Sequence, residues 1–217
     1  MFKKYWKFFV IFWSVVLVGI IGVFVFFWLI SAGKLGFMPT FEELENPNNR
    51  FASEVYFADG PIMNRYFEKE NRKYIEYREI PQSVIDALIT TEDVRFYDHS
   101  GIDVRGLFRV AKGLLTANTS AGGGSTISQQ LAKMLFPRES DLNVFELVIR
   151  KFREWVIAVR LEKSYTKEEI LTMYLNKYDF LNLAVGISSA ADIYFQVPLD
   201  SLKVEQAAML VGLAKNA

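Results

Sequence analysis

The sequence predicts a mainly α-helical domain that is preceded by one transmembrane helix and carries a small β hairpin region near its N-terminus. Three observations lead to this prediction. An uncharged apolar run stands near the N-terminus, short stretches of alternating polar and apolar residues follow it, and from Pro81 onward apolar residues recur at helical spacing. With 217 residues, 51% of them hydrophobic, the chain is long enough for one membrane segment and one domain with a core.

The apolar run covers residues 8–30 and contains no charged side chain. As a helix, these residues span roughly 35 Å, which is enough to cross a bilayer. The run is longer than the apolar part of a cleavable signal, about 7–15 residues, so we predict an uncleaved anchor. Lys3, Lys4 and Lys7 precede it, and positive charge favours the cytoplasmic side. The chain is therefore predicted to be a single-pass protein of the cytoplasmic (inner) membrane, with its N-terminus in the cytoplasm and its domain outside.

This interpretation divides the chain into a cytoplasmic tail (1–7), the transmembrane helix (8–30), a juxtamembrane connector (31–50) and a domain (51–217). At the start of the domain, alternation in residues 54–57, a turn signal at Asp59-Gly60 and a returning strand at 74–77 predict the hairpin. The predicted helix starts are Pro81, Asp103, Ser125 or Thr126, Asn143 and the capping box of Thr166 with Glu169, followed by helices at 182–195 and 201–215.

Composition excludes several classes of site and partner. The chain has no cysteine, which excludes disulfides and thiolate metal sites. Its single histidine and the lack of an HExxH motif leave no zinc spacing. Because three of the 25 basic residues precede the apolar run, the rest of the chain carries 22 basic and 25 acidic side chains, and this balance does not indicate a nucleic-acid binder.

The first candidate group is Glu92 with Phe96 and His99. If residues 92–99 are helical or nearly so, these three side chains fall on one side, at i, i+4 and i+7. A carboxylate beside an aromatic ring is partly desolvated, which suits proton abstraction. The spacing alone leaves open the plainer alternative, a surface acid at a helix end and a histidine satisfied within the core.

The second group is the glycine-rich stretch 122–126, which opens onto a helix. Backbone N–H groups in such a loop approach an anion closely, and the helix start adds partial positive charge. Thr126, Gln130 and Lys133 then line one helix face. This is not a Walker loop, because no Gly-Lys-Ser/Thr follows the glycines. A flexible loop before a polar helix face remains open.

The third group is Arg150, Lys151 and Glu154. An ordinary helix-surface ion pair between Arg150 and Glu154 is one interpretation. The other is a second carboxylate held among cations beside a pyrophosphate, with Lys133 and Arg138 adding charge, because planar guanidinium groups suit phosphate.

Taken together, these groups resemble the family 51 peptidoglycan glycosyltransferases, the polymerase module of class A penicillin-binding proteins and of monofunctional transglycosylases. The resemblance covers about residues 40–217. It is carried by Glu92-Asp93-x-x-Phe96-x-x-His99-x-Gly101, Gly124-Ser125-Thr126-Ile127-Ser128-Gln129-Gln130-Leu131-x-Lys133, Arg150-Lys151-x-x-Glu154 and Lys167-Glu168-Glu169-Ile170-Leu171-x-x-Tyr174-Leu175-Asn176.

The resemblance implies a lysozyme-like fold with a smaller, membrane-facing lobe, the jaw, and lipid II as the substrate. Glu92 would be the general base on the acceptor 4-hydroxyl, with release of undecaprenyl pyrophosphate and inversion at the donor MurNAc C1. Glu154 would be the second catalytic carboxylate. Substrate-binding residues would be Asp93, Phe96, His99, Gly124, Ser125, Thr126, Gln130, Lys133, Arg138, Arg150 and Lys151. A divalent metal such as Mg²⁺ near Glu154 is left open, and no organic cofactor is implied.

The implied partners are lipid II, the growing glycan strand, the lipid bilayer and cell-wall synthesis proteins, with no nucleic acid. The family normally continues into more helices after a segment like 210–216, so the chain is expected to be the front of a longer protein. Two departures from the family pattern are Gln196-Val197, in place of Gly-Lys, and the loop 177–183. Two alternatives remain, a lysozyme-like glycan hydrolase and an inactive membrane-anchored cell-wall scaffold.

Overall fold

The computed structural model describes residues 2–36, 38–39, 53–56, 62–66, 73–116, 123–135 and 143–216. Helix α1, Phe2–Ser31, contains the apolar segment Tyr5–Ser31, whose mean hydropathy is 2.8. This helix is long and apolar enough to cross a membrane. It extends beyond both ends of the predicted span 8–30.

Two short strands, β1 (Ser53–Tyr56) and β2 (Ile62–Tyr66), pair antiparallel, with Ser53 opposite Tyr66. The predicted turn at Asp59-Gly60 lies outside the described residues. The prediction of a returning strand at 74–77 is wrong. The backbone N–H and C=O of Ile75 bond to the side chain of Asn176 at 3.0 and 2.9 Å, and Tyr77–Glu79 form a 3₁₀ turn.

The rest of the described chain is mainly helical, as predicted. The remaining helices are α2 (Gln82–Glu92), α3 (Val104–Leu115), α4 (Ile127–Leu135), α5 (Val144–Ser164), α6 (Lys167–Lys177), α7 (Ile187–Phe195) and α8 (Val204–Asn216). Three of the predicted caps are confirmed: Asp103, Thr126 and Thr166 each accept a hydrogen bond from the backbone N–H three residues on, at 2.9, 3.2 and 3.3 Å.

The predicted helix 182–195 starts only at Ile187. Leu181, Asn182 and Leu183 all have positive φ, at 68°, 50° and 67°, and this left-handed conformation does not fit a right-handed helix. The predicted helix 201–215 likewise starts only at Val204, because Leu199–Ser201 form a 3₁₀ turn and Leu202 after it is extended, with ψ 127°.

One core holds these helices together. Helix α2 packs against α8, and α4 packs against both α5 and α6. Because α4 is buried between two other helices, the residues at its start are held in place from several sides. Among the large side chains with less than 2% exposure are Leu88, Phe96, Ile127, Leu131, Leu161, Ile170, Leu171 and Tyr174.

The end of the apolar helix is attached to this core through α5. The rings of Phe26 and Phe27 lie edge-on to Phe152, with centroids 5.4 and 5.6 Å away. Arg160 donates from Nη2 to the carbonyl oxygen of Ser31 at 2.8 Å. The position of α1 is therefore coupled to the helix that carries Arg150, Lys151 and Glu154.

Candidate active site

A cavity of about 540 Å³ lies where the end of α2, the first half of α3 and the loop before α4 meet. Both charged and neutral polar groups face it. Its lining consists of Thr91, Glu92, Asp93, Val94, Arg95, Asp103, Gly106, Arg109, Gly123, Gly124, Ser125, Thr126 and Gln130. Glu92 of the first predicted group thus meets the glycine-rich loop of the second at one cavity, although more than twenty residues separate the two groups in the sequence.

Glu92 is the last residue of α2. Its Oε2 accepts a hydrogen bond from Gln130 Nε2 at 2.7 Å. Its Oε1 is buried and has no hydrogen-bond partner among the described residues. A buried oxygen without a hydrogen bond costs folding free energy unless a bound ligand supplies the missing hydrogen bond. One oxygen of Glu92 is therefore held by the protein, and the other has no hydrogen-bond partner among the described residues.

The predicted common face of Glu92, Phe96 and His99 does not form. Helix α2 ends at Glu92, because Asp93 leaves the helical conformation, with φ −155° and ψ 74°, and Phe96–Asp98 then make a separate 3₁₀ turn. Phe96 has 0% exposure and packs in the core. It is therefore placed in the core and not on the cavity wall, where a substrate-binding residue would lie.

His99 and Asp93 form a buried pair, with His99 Nε2 3.0 Å from both carboxylate oxygens of Asp93. His99 Nδ1 accepts from the backbone N–H of Gly101 at 3.2 Å, so the ring proton lies on Nε2 and points to Asp93. Asp93 Oδ2 also accepts from the backbone N–H of Ile127 at 3.1 Å. His99 thus acts as the satisfied core histidine that the sequence left open, and it ties the turn after α2 to the start of α4.

The structure at position 101 requires the glycine with which the first motif ends. Its φ is +91°, and a Cβ there would lie 2.9 Å from the backbone of Ala158 in α5. Its carbonyl oxygen accepts from Thr126 Oγ1 at 2.7 Å and from Gln129 Nε2 at 3.2 Å. Close packing of this turn on α5 therefore sets the position of the loop before α4.

Glu154 is paired with Lys151, one turn earlier on α5, and not with Arg150. Lys151 Nζ lies 2.9 Å from Glu154 Oε2 and 2.9 Å from Ser125 Oγ. The Glu154 side chain is 12% exposed and that of Lys151 is 45% exposed. The carboxylate thus directs an accessible ammonium group at the glycine-rich loop, which unites the second and third predicted groups.

The other predicted cations lie away from this cavity wall or outside the described residues. Lys133, exposed in the last turn of α4, and Arg150, half-buried on α5, do not line the cavity. Arg138 lies outside the described residues. The cationic groups on the wall itself are Arg95 and Arg109, which the sequence did not single out.

Arg95 forms an ion pair with Asp103. Burial alone would raise the pKa of Asp103. Its pKa is nevertheless below the usual value, because Arg95 and the backbone of Gly106 donate hydrogen bonds to the carboxylate and Arg95 adds a positive charge. A Cβ at Gly106 would lie 2.5 Å from Asp103 Oδ2, so a side chain there would collide with the pair. A glycine destabilises the interior of a helix, so Gly106 within a helical pattern was the available sign that its position has a packing reason.

The fourth motif supports the site from behind the cavity. Lys167 Nζ donates to the carbonyl oxygen of His99 at 2.7 Å and pairs with Glu162, also at 2.7 Å. Tyr174 donates from its hydroxyl to Gln130 Oε1 at 3.0 Å. Helix α6 therefore holds both the turn after α2 and the side chain that contacts Glu92.

The described residues do not fit a metal site built by the protein alone. They contain no cluster of three or more His, Cys, Asp or Glu side chains that could hold an ion. One oxygen of Glu154 already contacts an ammonium group. A divalent cation at Glu154 would have to take most of its ligands from a bound substrate.

The transglycosylase family model matches residues 59–217. The chain belongs to the transglycosylase family. This confirms the family that the four motifs predicted, and the mainly helical structure agrees with the lysozyme-like fold of a transglycosylase domain. The cavity formed by residues of the first two motifs, with Lys151 of the third beside it, thus lies within a transglycosylase domain.

Similar proteins include three named penicillin-binding protein 1A. Over 178 residues, or 82% of this chain, identity is 36% to the protein from Escherichia coli (strain K12), 37% to that from Pseudomonas aeruginosa and 35% to that from Neisseria lactamica. The chain spans 20–22% of the length of these relatives.

Proposed function

We propose that this transglycosylase domain is a peptidoglycan glycosyltransferase that polymerises lipid II into glycan strands. The observation that carries the proposal is the state of Glu92, whose Oε2 is fixed by Gln130 while its buried Oε1 has no partner among the described residues. A carboxylate in this state suits the removal of a proton from a bound alcohol.

In this reaction Glu92 Oε1 accepts the proton of the acceptor GlcNAc 4-hydroxyl. The freed oxygen attacks C1 of the donor MurNAc, and the bond from C1 to the diphosphate breaks. Undecaprenyl pyrophosphate leaves with the bonding electron pair, and the anomeric centre inverts from α to β. A sugar alcohol is a poor nucleophile, so a positioned base contributes about 10²–10⁴ in rate.

The leaving diphosphate needs positive charge. Lys151 reaches Ser125 at the loop, and Glu154 holds it there. Arg109 adds a guanidinium group on the cavity wall. Lys133, Arg138 and Arg150 are assigned to the same diphosphate on the strength of the family resemblance. Fixed cations beside the leaving group offset the charge that develops in the transition state.

Membrane attachment would keep the cavity near a lipid-linked substrate. Helix α1 is apolar enough to span a bilayer, and Arg160 and Phe152 connect its end to α5. Large apolar side chains are also exposed on α3 and at the start of α5, including Phe108 at 73%, Leu115 at 89%, Val144 at 78% and Phe145 at 70%. They agree with a membrane-facing jaw. We place the N-terminus in the cytoplasm and the domain outside, with cell-wall synthesis proteins as partners.

The test is incubation of the purified chain, in detergent or liposomes, with labelled lipid II, followed by separation of the glycan products. We expect long strands from the wild type, loss of at least about 10²-fold in rate for Glu92→Gln, and wild-type rates for the exposed control Glu205→Gln on α8. Cleavage of preformed glycan would instead identify a hydrolase. No reaction with lipid II, with partner binding retained in both the wild type and Glu92→Gln, would identify a scaffold.

The requirement for a divalent cation is tested in the same assay. Turnover is measured after treatment with EDTA and again after Mg²⁺ is restored. Because Glu154 contacts Lys151 and the described residues hold no cluster of metal ligands, a cation that turnover required would take most of its ligands from the substrate.

A further inference from the structure

We propose that Tyr174 is a positioning residue for the general base and that it acts through the side chain of Gln130. This inference rests on the proposed function, in which Glu92 removes the proton. Tyr174, from a different helix, thus joins Glu92 and Gln130 as the third side chain of the group that positions the reacting carboxylate.

The three side chains form one hydrogen-bonded chain. Tyr174 OH lies 3.0 Å from Gln130 Oε1, and Gln130 Nε2 lies 2.7 Å from Glu92 Oε2. Glu92 ends α2, Gln130 lies on α4 and Tyr174 lies on α6. Because each member belongs to a different helix, the geometry exists only in the folded domain.

The donor and acceptor groups available fix the direction of the hydrogen bonds that link Tyr174, Gln130 and Glu92. An ionised carboxylate only accepts hydrogen bonds, so Gln130 must turn its NH₂ group toward Glu92. The amide oxygen of Gln130 then faces Tyr174, which must donate. If the phenol did not donate, the amide could rotate by 180° and place its oxygen against the carboxylate. Tyr174 therefore selects the amide orientation that stabilises ionised Glu92.

Tyr174 is suited to remain a donor. It is 1% exposed, and its burial, together with the nearby charge of Glu92, raises its pKa. The phenol therefore keeps its proton throughout the neutral range. With Oε2 held in this way, the rotation of the carboxylate is restricted, and Oε1, which has no partner among the described residues, is the oxygen that the proposed reaction uses.

The chain offers a matched control in Tyr178. Its ring stacks on that of Tyr174, with centroids 5.4 Å apart, but its hydroxyl donates to the carbonyl oxygen of Ala214 in α8. Burial and the charges of Glu92 and Asp179 raise its pKa as well, so it too is a neutral phenol near Glu92. Tyr174→Phe and Tyr178→Phe each remove one phenol oxygen, but only the hydroxyl of Tyr174 contacts Gln130.

The kinetic experiment compares Tyr174→Phe with Tyr178→Phe in the lipid II assay. For Tyr174→Phe we expect kcat to fall about ten-fold, with KM within about two-fold of the wild type and the acid limb of the pH–rate profile moved to higher pH. For Tyr178→Phe we expect wild-type kinetics. In a Gln130→Ala background, Tyr174→Phe should have no further effect. An equal loss in both backgrounds would overturn the proposal, because Tyr174 would then not act through Gln130.

A second readout does not depend on turnover. The carboxyl group of Glu92 is titrated by NMR in protein labelled with ¹³C at the glutamate side chains, and Glu92→Gln identifies its signal. Tyr174→Phe should move the midpoint to higher pH and Tyr178→Phe should leave it in place, and equal midpoints in all three proteins would refute the proposal. Among the described residues, the ionisable groups near this carboxyl that Tyr174→Phe leaves unchanged include Tyr178, Asp93, Arg95, Asp103 and Arg109.

The two readouts separate the two hypotheses. If the wild type forms no glycan strands but the midpoint moves as expected, the proposed function fails while the control of Glu92 by Tyr174 stands. If strands form and neither the midpoint nor kcat responds to Tyr174→Phe, the function stands and the inference fails.

Discussion

Lys151 Nζ lies 2.9 Å from the Glu154 carboxylate, one turn further along the same helix. Because this ammonium group also contacts Ser125, at 2.9 Å, the carboxylate acts on the glycine-rich loop through a cation. In the proposed reaction, Glu154 would therefore orient this positive charge toward the leaving diphosphate.

For Glu154→Gln we therefore expect a loss of about ten-fold in kcat/KM for lipid II, because Lys151 loses the charge that orients it. The check is steady-state kinetics with Glu168→Gln, an exposed acid on α6, as the control. In a Lys151→Ala background the effect of Glu154→Gln should largely vanish. A full additional loss there would mean that Glu154 has a role independent of Lys151.

Gly101→Ala should destabilise the domain by about 2 kcal/mol or more. The reason is twofold: φ at this position is +91°, and the new Cβ would lie 2.9 Å from the backbone of Ala158. Thermal unfolding in detergent measures the effect. Gly123→Ala is the control, since a Cβ there would meet nothing within 4 Å. Equal melting temperatures for the two variants would contradict this account.

The stability of the domain should fall in acid partly because of Asp103. The pKa of Asp103 is lower in the folded protein than in the unfolded chain, where an aspartate has a pKa of about 3.9. Its contribution to folding stability is therefore fully present above about pH 3.9 and is lost as the pH falls through the lower, folded-state pKa. Melting temperatures measured from pH 7 to pH 2 should therefore decline less steeply below about pH 4 for Asp103→Asn than for the wild type. Asp200→Asn, at an exposed turn, should follow the wild type. A steeper decline for Asp103→Asn would reverse the sign of this argument.

Arg109→Gln should raise KM for lipid II about ten-fold, because a charge-assisted hydrogen bond from the cavity wall to an anionic group is lost. Arg105→Gln, one turn earlier on the same helix and away from the cavity lining, is the matched control. The measurement is initial rate against lipid II concentration. An unchanged KM in Arg109→Gln would show that this guanidinium does not contact the substrate.

The sequence by itself determined the elements that depend on local periodicity and capping. An uncharged run sufficed for α1, and the apolar spacing after Pro81 with the caps at Asp103, Thr126 and Thr166 sufficed for most helix starts. These features are readable because the groups that stabilise them lie within a few residues of one another. The order of the four motifs was likewise enough to predict the family.

Only the tertiary structure decided which side chains meet. The sequence suggested Glu92 beside Phe96 and Arg150 beside Glu154, whereas folding pairs Glu92 with Gln130 and Glu154 with Lys151, and buries Phe96 in the core. Such contacts depend on where a helix ends and on how helices from distant parts of the chain pack. The spacing of residues in the sequence does not predict these contacts. The free energy that stabilises them comes from side-chain burial across the whole core.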